Sequence, residues 1–455
     1  MIKWIATTEK SPWVEQTAPD FSVGSGMPDV FIDTKRTAQS IEGFGGSFNE
    51  YGWTSLSLLS QQDRDAVMRD IFAPGVGLNF SLCRMPVASN DFSEDFYSYD
   101  EVDGDFELEH FSIENDEKNL IPFIREAKKY QPKLAIWASP WSPPTWMKRN
   151  GHYAGAKPNP AFNTGSATNG LRDDQVQVEG TDNFKLEEPY LAAYAKYFGK
   201  FIDEYAARDI KISMVMPQNE WNSAQVFPSC VWTPQGLAKF VAHLGPEMEK
   251  RGVEVFLGTL ERPDEQQALI PINDPITGKY IKGVGVQWAG KGATPFIHRA
   301  KPELRIYQSE QQCGDGKNDW RFARHVWNLM KFYFDNGATG YMYWNMSLEE
   351  GGVSRWGWSQ NSLVVVDPET KSYRFSHEYY MMKHVSHFVQ PGAKVVETFS
   401  WNGYEQQFAF KNPDGSLVVV MQNAGTDEMD VNLVIDGKLL KVLLPADSVN
   451  TFVLN

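Results

Sequence analysis

ISMVMPQNEWN (212–222) decides the fold. Apolar residues run up to Met216, and Pro217 closes the strand where a missing N–H costs little. A strand that served burial alone would end in glycine or another turn residue. This one ends in an amide, a carboxylate and an indole: Asn219, Glu220 and Trp221. Moving outward, the same kind of apolar run recurs at LNFSLCR (78–84), KLAIWAS (133–139), EVFLGT (254–259), KGVGVQ (282–287), LRIYQS (304–309) and TGYMYW (339–344). Such near-continuous apolar runs are what a strand buried on both faces requires. Amphipathic helical stretches lie between them, at 115–130, 189–207, 234–251 and 319–336. With IEGFGG (41–46) as the first strand, the chain holds eight β-then-α units. That count predicts an α/β fold, a (β/α)8 TIM barrel over residues 40–389, with a doubly wound open sheet as the alternative.

The tail follows another rule. QQFAFKN (406–412), SLVVVMQN (416–423), DVNLVI (430–435) and SVNTFVLN (448–455) are short segments separated by Asn, Gly and Asp turns. They predict antiparallel strands. DVFIDT (29–34) belongs with them, so residues 1–39 plus 390–455 are expected to form one β-sandwich side domain, discontinuous in sequence.

The 455 residues carry a formal net charge of −15, which argues against nucleic acid or an anionic membrane surface as partner. Fifteen Trp fit a sugar binder, because sugar C–H faces pack on aromatic rings, although a large core also consumes Trp. Three Cys (Cys83, Cys230, Cys313) do not make a disulfide framework. No run of 18 apolar residues exists, so no integral membrane segment is expected. As it stands the chain reads as soluble and cytoplasmic; a trimmed signal peptide would make it secreted or periplasmic. Nothing in it speaks to oligomeric state.

In a barrel, chemistry sits where strands end at their C-terminal side. The second strand delivers Arg84, followed by Asp91. The third delivers Trp141, the fourth Asn219 and Glu220, the sixth Gln287 and Trp288. The seventh delivers Glu310, and the eighth Trp344 and Asn345. A lone Glu after a strand is ordinarily a surface group or a neighbour of a helix cap. Two of them on strands four and seven, among Trp, Asn and Arg, match what glycoside hydrolysis needs: one carboxyl to protonate the leaving oxygen, another to attack the anomeric carbon or activate water. Other chemistries find no motif. GFGGSF (43–48) is not G-x-G-x-x-G, and no Walker A sequence is present. His377-Glu378, with His384 and His387 on one helix, is a poor metal pattern and is expected to be solvated or capping. No metal and no cofactor are expected. The insert 151–188, rich in Asn, Gly and Asp, is expected to form one wall of the site.

Over nearly its whole length the chain resembles glycoside hydrolase family 30, which includes the lysosomal glucosylceramidases. The resemblance rests on IEGFGGSFNE (41–50), LCRMPVASNDFS (82–93), WASPWSPPTWMK (137–148), MPQNEW (216–221), YQSEQQCG (307–314), YWNMSLEEGG (343–352) and SLVVVD (362–367). It implies a (β/α)8 barrel with a side β-sandwich built from both termini, and a retaining β-glycosidase. It implies Glu220 as general acid/base, Glu310 as nucleophile and Asn219 as the amide that contacts the sugar 2-hydroxyl. Arg84, Asp91, Trp141, Trp288 and Trp344 are then expected to line the sugar pocket. Two departures stand out. The sixth strand of the glucosylceramidase branch ends His-Trp-Tyr, and here Gln287-Trp288-Ala289 stands in its place. After strand eight, SRWGWSQNS (354–362) also differs, so Trp358 or Asn361 is expected to take the place of a sugar-touching Asn. The pattern is closer to bacterial and fungal members, some of which cleave β-1,6-glucans. The expected partner is therefore a β-linked carbohydrate or glycoconjugate, either glucosylceramide-like or a β-1,6-glucan. Alternatives are a glycone of xylose, fucose or galactose, and a non-catalytic carbohydrate-binding protein on the same scaffold. A metal-dependent lyase is disfavoured by the lack of clustered His and Asp ligands.

Overall fold

The computed structural model describes residues 2–22, 27–161 and 168–455. Eight parallel strands form a closed barrel: Gly43–Ser47, Leu82–Val87, Ala135–Pro140, Met214–Val215, Glu254–Leu260, Ile281–Gln287, Arg305–Glu310 and Ala338–Asn345. Closure is carried by the eighth and first strands, which pair in register at Gly340 with Gly43 and at Met342 with Gly45. That ladder excludes the open sheet. The barrel interior is plugged by Leu82, Trp137, Met214, Met216, Phe256, Tyr307 and Met342. Glycine is required beside Met216, because a Cβ on Gly258 or Gly285 would lie 2.2 or 2.4 Å from its sulfur.

The helices form where the apolar spacing lays a stripe against the barrel. Leu120–Tyr130 buries Leu120, Ile121, Phe123, Ile124 and Ala127, all on one face. Two others begin with a side-chain cap. Thr233 accepts from the N–H of Gly236 and Asp319 from that of Phe322, each cap contributing about 1 kcal/mol. The fourth strand is shorter than the run 212–217 predicts, because Pro217 has no N–H to give the ladder. Its hydrogen bonding nonetheless persists: Met216 N donates to Ala138 O at 2.9 Å, and Asn219 N to Pro140 O at 2.7 Å. The chain thus stays clamped between its neighbours up to the site.

Both ends of the chain share one ten-stranded sheet. Its order is Val14–Gln16, Ile2–Thr8, Ser448–Leu454, Leu417–Asn423, Gln407–Lys411, Lys394–Ser400, Val30–Ser40, Met429–Ile435, Lys438–Leu444 and Phe21–Ser22. Trp4, Val419 and Phe452 from one half share a core with Leu433, Leu440 and Val442 from the other, so the sheet folds over on itself as a sandwich. The helix His377–Ser386 joins it to the barrel. His384 is not solvated but fully buried, bonded to Thr451 Oγ1 and Thr7 Oγ1 at 2.8 Å each. Glu378 is likewise buried. The expectation fails for these two because the helix is wedged between the domains on their side, whereas His377 and His387 stay partly exposed. Among the described residues, no helix is long and apolar enough to cross a membrane.

Candidate active site

A cavity of 120 Å³ opens at the C-terminal end of the barrel. Asp91, Glu220, Glu310 and Trp288 line it, together with Gln225, Phe227, Glu261, Trp358 and Gln360. It is smaller than the roughly 300–1,000 Å³ typical of drug-sized ligands, and so admits little more than one sugar ring.

Glu220 and Glu310 meet through one amide. Gln287 Nε2 donates to Glu220 Oε1 and to Glu310 Oε2, at 3.1 Å each. The gap between these two oxygens is therefore below twice 3.1 Å, short of the roughly 6.5–9.5 Å that leaves room for a water between inverting carboxylates. Glu310 is held by two further donors: Arg84 Nη1 reaches its Oε2 at 2.9 Å and Trp288 Nε1 its Oε1 at 2.7 Å. Burial raises its pKa, and the Arg84 charge and these hydrogen bonds oppose the rise. Among the described residues, Glu220 has no cation at hydrogen-bond distance. Gln225 Nε2 donates to its Oε2 at 2.9 Å. Burial, then the negative charges of Glu261 and Glu310, hold its pKa well above the ordinary carboxylate range. Both pKa values are raised, that of Glu220 the further, and Glu310 is the one that the Arg84 cation holds. Glu220 sits at φ 45°, the left-handed region costly for a side chain of its size, and its N–H is fixed by Thr259 Oγ1 at 2.9 Å.

Of the other residues named from sequence, Asp91, Trp288 and Trp358 line the cavity, while Arg84, Asn219, Trp141 and Trp344 are packed behind the pair. Arg84 is fully buried. Its guanidinium lies over Trp141 at 4.4 Å, Trp137 at 5.0 Å and Trp344 at 5.3 Å, and Nη2 donates to Asn219 Oδ1 at 2.7 Å. Trp141 and Trp344 stack at 5.4 Å and so form the floor that seats the guanidinium. Asn219 Oδ1 also accepts from Thr259 Oγ1 and Gln287 Nε2 at 3.1 Å each, which fixes the amide's orientation with its NH2 as the remaining donor. The Trp344 indole is close enough to the Asp91 carboxyl to lower its pKa, yet neither Trp344 Nε1 nor Asp91 Oδ1 has a partner in full hydrogen-bond geometry among the described residues, a shortfall that a bound hydroxyl would relieve. Trp288 and Trp358 meet edge to face at 6.4 Å on the cavity wall.

Asn361 is not brought to the cavity. Its Oδ1 accepts from Gly316 N at 2.9 Å and Asn318 N at 3.0 Å, and its Nδ2 donates to Glu378 Oε1 at 2.6 Å. Fully buried and turned to these three internal partners, it does not line the cavity. Its neighbour Gln360 lines the cavity instead, held at 2.9 Å by Asn345 Nδ2. The insert does not line it either, among the described residues; part of it, 162–167, lies outside them. It braces the loop that does: Gly155 N donates to Gln225 O at 2.8 Å, Asn169 Nδ2 to Val226 O at 2.8 Å and Gln177 Nε2 to Ser229 O at 3.0 Å. Gln225, Phe227 and Glu261 went unnamed in the sequence reading. For Glu261 the signal was available, since it follows the fifth strand by one residue, where a polar group at a strand end counts. Gln225 and Phe227 sit in a loop with no such marker.

Known proteins carry the same domains. Residues 41–165 and 161–389 match the glycosyl hydrolase family 30 TIM-barrel domain, and residues 392–452 its beta sandwich domain. The lysosomal acid glucosylceramidase of Mus musculus is 27% identical over 463 residues, covering 94% of this chain and 84% of that protein. The endo-1,6-beta-D-glucanase of Neurospora crassa is 26% identical over 447 residues, covering 91% and 85%. The crystal structure of SrfJ from Salmonella typhimurium superposes with a TM-score of 0.87 at 23% identity over the whole of both chains. Matched in both of its domains, with a closed barrel that brings two carboxyls together, this chain belongs to glycosyl hydrolase family 30.

Proposed function

We propose that the protein is a retaining β-glycosidase that cleaves β-glucosidic bonds by double displacement. The observation that carries this reading is the pair of buried carboxyls bridged by Gln287, too close for an inverting water. Glu310, ionised against Arg84, attacks the anomeric carbon as the bond to the leaving oxygen breaks, and Glu220 gives that oxygen its proton. Glu220, now a carboxylate, takes a proton from water. The water oxygen bonds to the anomeric carbon, and the bond to Glu310 breaks. Asn219 offers its NH2 to the 2-hydroxyl, a contact that strengthens in the transition state. Asp91 accepts from hydroxyls deeper in the cavity. Arg84, Trp141 and Trp344 build the floor, and Trp288 and Trp358 the walls. Glucose as the glycone is supported by the mouse and Neurospora relatives, whose names both specify glucosides.

The test is turnover of aryl β-glucosides, beside the xyloside, fucoside and galactoside, with the anomer of the first product read by NMR. The β-glucoside should be preferred and the first product should be the β-anomer. Glu310→Gln should lose roughly 10⁴-fold or more in kcat/KM. A first product of α configuration, or a Glu310→Gln enzyme of full activity, would overturn the mechanism; preference for another glycoside would replace the glycone.

A further inference from the structure

One carboxylate in the cavity has no part in the chemistry derived above. Glu261 stands one residue beyond the fifth barrel strand, Glu254–Leu260, and lines the cavity beside Glu220. Glu220 and Glu310 have their donors without it. Glu261 is anchored from behind. Its N–H donates to Asn222 Oδ1 at 3.3 Å, and Arg262 pairs with it and also, at 2.8 Å, with Glu179 of the insert. The neighbouring groups are polar as well: Gln225 Nε2 donates to Ser223 Oγ at 2.7 Å and to Glu220 Oε2 at 2.9 Å.

The charges are ordered across the cavity. The carboxylate that Asp91 feels most strongly is Glu310, whereas Glu220 feels Glu261 ahead of Glu310. Asp91 follows the second barrel strand and Glu261 the fifth, three strands apart in a closed ring of eight, so they approach the reacting pair from different sides of the barrel mouth. If Asp91 grips the sugar being transferred, the group beyond the glycosidic oxygen lies on the Glu220 flank, against Glu261, Gln225 and Phe227. A carboxylate is an acceptor only, and an alkyl chain offers nothing to the acceptor positions that Arg262 leaves free, whereas sugar hydroxyls supply donors. Phe227, in the same wall, offers a ring against which a sugar's C–H face can lie.

We propose that Glu261 is a specificity-determining residue of the leaving-group side, accepting hydrogen bonds from sugar hydroxyls, so that the bond cut joins two sugars. This rests on the glycosidase reading above and names the class of its leaving group. An ion-paired acidic wall makes a lipid leaving group the poorer fit.

Two glucosides separate this role from an effect through Glu220. Gentiobiose and octyl β-D-glucoside both need their leaving oxygen protonated, but only the first has a hydroxylated leaving group. At a pH on the acid plateau, Glu261→Ala should lower kcat/KM for gentiobiose roughly 10- to 100-fold, the range for one or two hydrogen bonds to a charged group. Octyl glucoside should change less than threefold. Glu261→Gln, which keeps the size of the side chain, guards against misfolding and should show the same ordering with a smaller loss. Equal losses on both substrates, or no loss on gentiobiose, would overturn the proposal. A wild-type enzyme inactive on both glucosides would instead remove the glucosidase reading, and this inference with it.

Discussion

At the residue scale, the site works by placing two chemically identical carboxyls in unlike surroundings. Glu310 has a guanidinium, an indole N–H and an amide; Glu220 has two amides and three negative neighbours. The charged groups acting on Glu220 are Glu261 and Arg262 from the fifth strand's end, Glu310 from the seventh, Arg84 from the second and Asp91 from the loop after it. Glu220 has to be protonated when the leaving group departs, so its pKa sets the alkaline limb of the pH profile. Removing the negative charge of Glu261 lowers that pKa. In Glu261→Gln the alkaline limb for octyl β-D-glucoside should therefore move to lower pH while the acid plateau stays within about threefold. A limb that stays in place or moves upward would show that Glu261 does not act on Glu220. Arg84 presents a second test. Its planar fork joins Glu310, Asn219 and Ser139 while stacked on indoles, a role an ammonium cannot fill. Arg84→Lys should cost roughly 10²-fold or more in kcat/KM, with KM changing less than kcat; near-wild-type kcat would mean the fork is dispensable.

At the element scale, the wall that carries Trp358 and Gln360 depends on Asn361, which points away from substrate. Asn361 satisfies the N–H groups of Gly316 and Asn318 and tethers the wall to Glu378, itself bonded to Tyr343. Asn361→Ala leaves two buried donors and one carboxyl short of partners. The expected loss is about 2–4 kcal/mol in denaturant unfolding, with a lower kcat/KM; a loss under about 0.5 kcal/mol would refute the bracing role. This is also where sequence reading reached its limit. The barrel was legible because each strand run is apolar on both faces, and Glu220 and Glu310 because strand ends are where a barrel exposes polar groups. Asn361 was placed near sugar because position along the chain locates a residue on a loop but not on one face of it. The insert 151–188 was placed in the wall because its composition marks it as loop. Its Gly155 N–H and the side-chain amides of Asn169 and Gln177 instead brace residues 225–229, a pairing no local pattern encodes. Glu261 obeys the strand-end rule, one residue past the fifth strand.

At the scale of the whole molecule, the barrel's outer layers conceal acids far from the cavity. Asp116 is fully buried and receives the hydroxyls of Tyr97, Tyr99 and Tyr205 at 2.9, 2.6 and 2.5 Å. Those three tyrosines come from the loop after the second strand and from the helix Glu188–Ala206, so one carboxyl ties together segments some ninety residues apart. Burial raises its pKa to about 7, the three hydroxyls only partly offsetting the loss of water. In the unfolded chain the same group titrates near 3.9. Between these values the folded protein holds a proton the unfolded chain has released, so Asp116's contribution is greatest below pH 4 and is lost as pH rises through about 7. Buried histidines such as His384, whose pKa burial lowers to about 3, act in the opposite direction below pH 6.5. The total pH dependence therefore mixes both signs, and a difference measurement isolates Asp116. Asp116→Asn removes the titration and leaves the histidines unchanged. The stability advantage of wild type over Asp116→Asn should shrink by roughly 3 kcal/mol between pH 5 and pH 8, read from urea unfolding at each pH. An advantage that is constant, or that grows toward pH 8, would mean that the carboxyl is ionised throughout and that the three hydroxyls stabilise a buried anion.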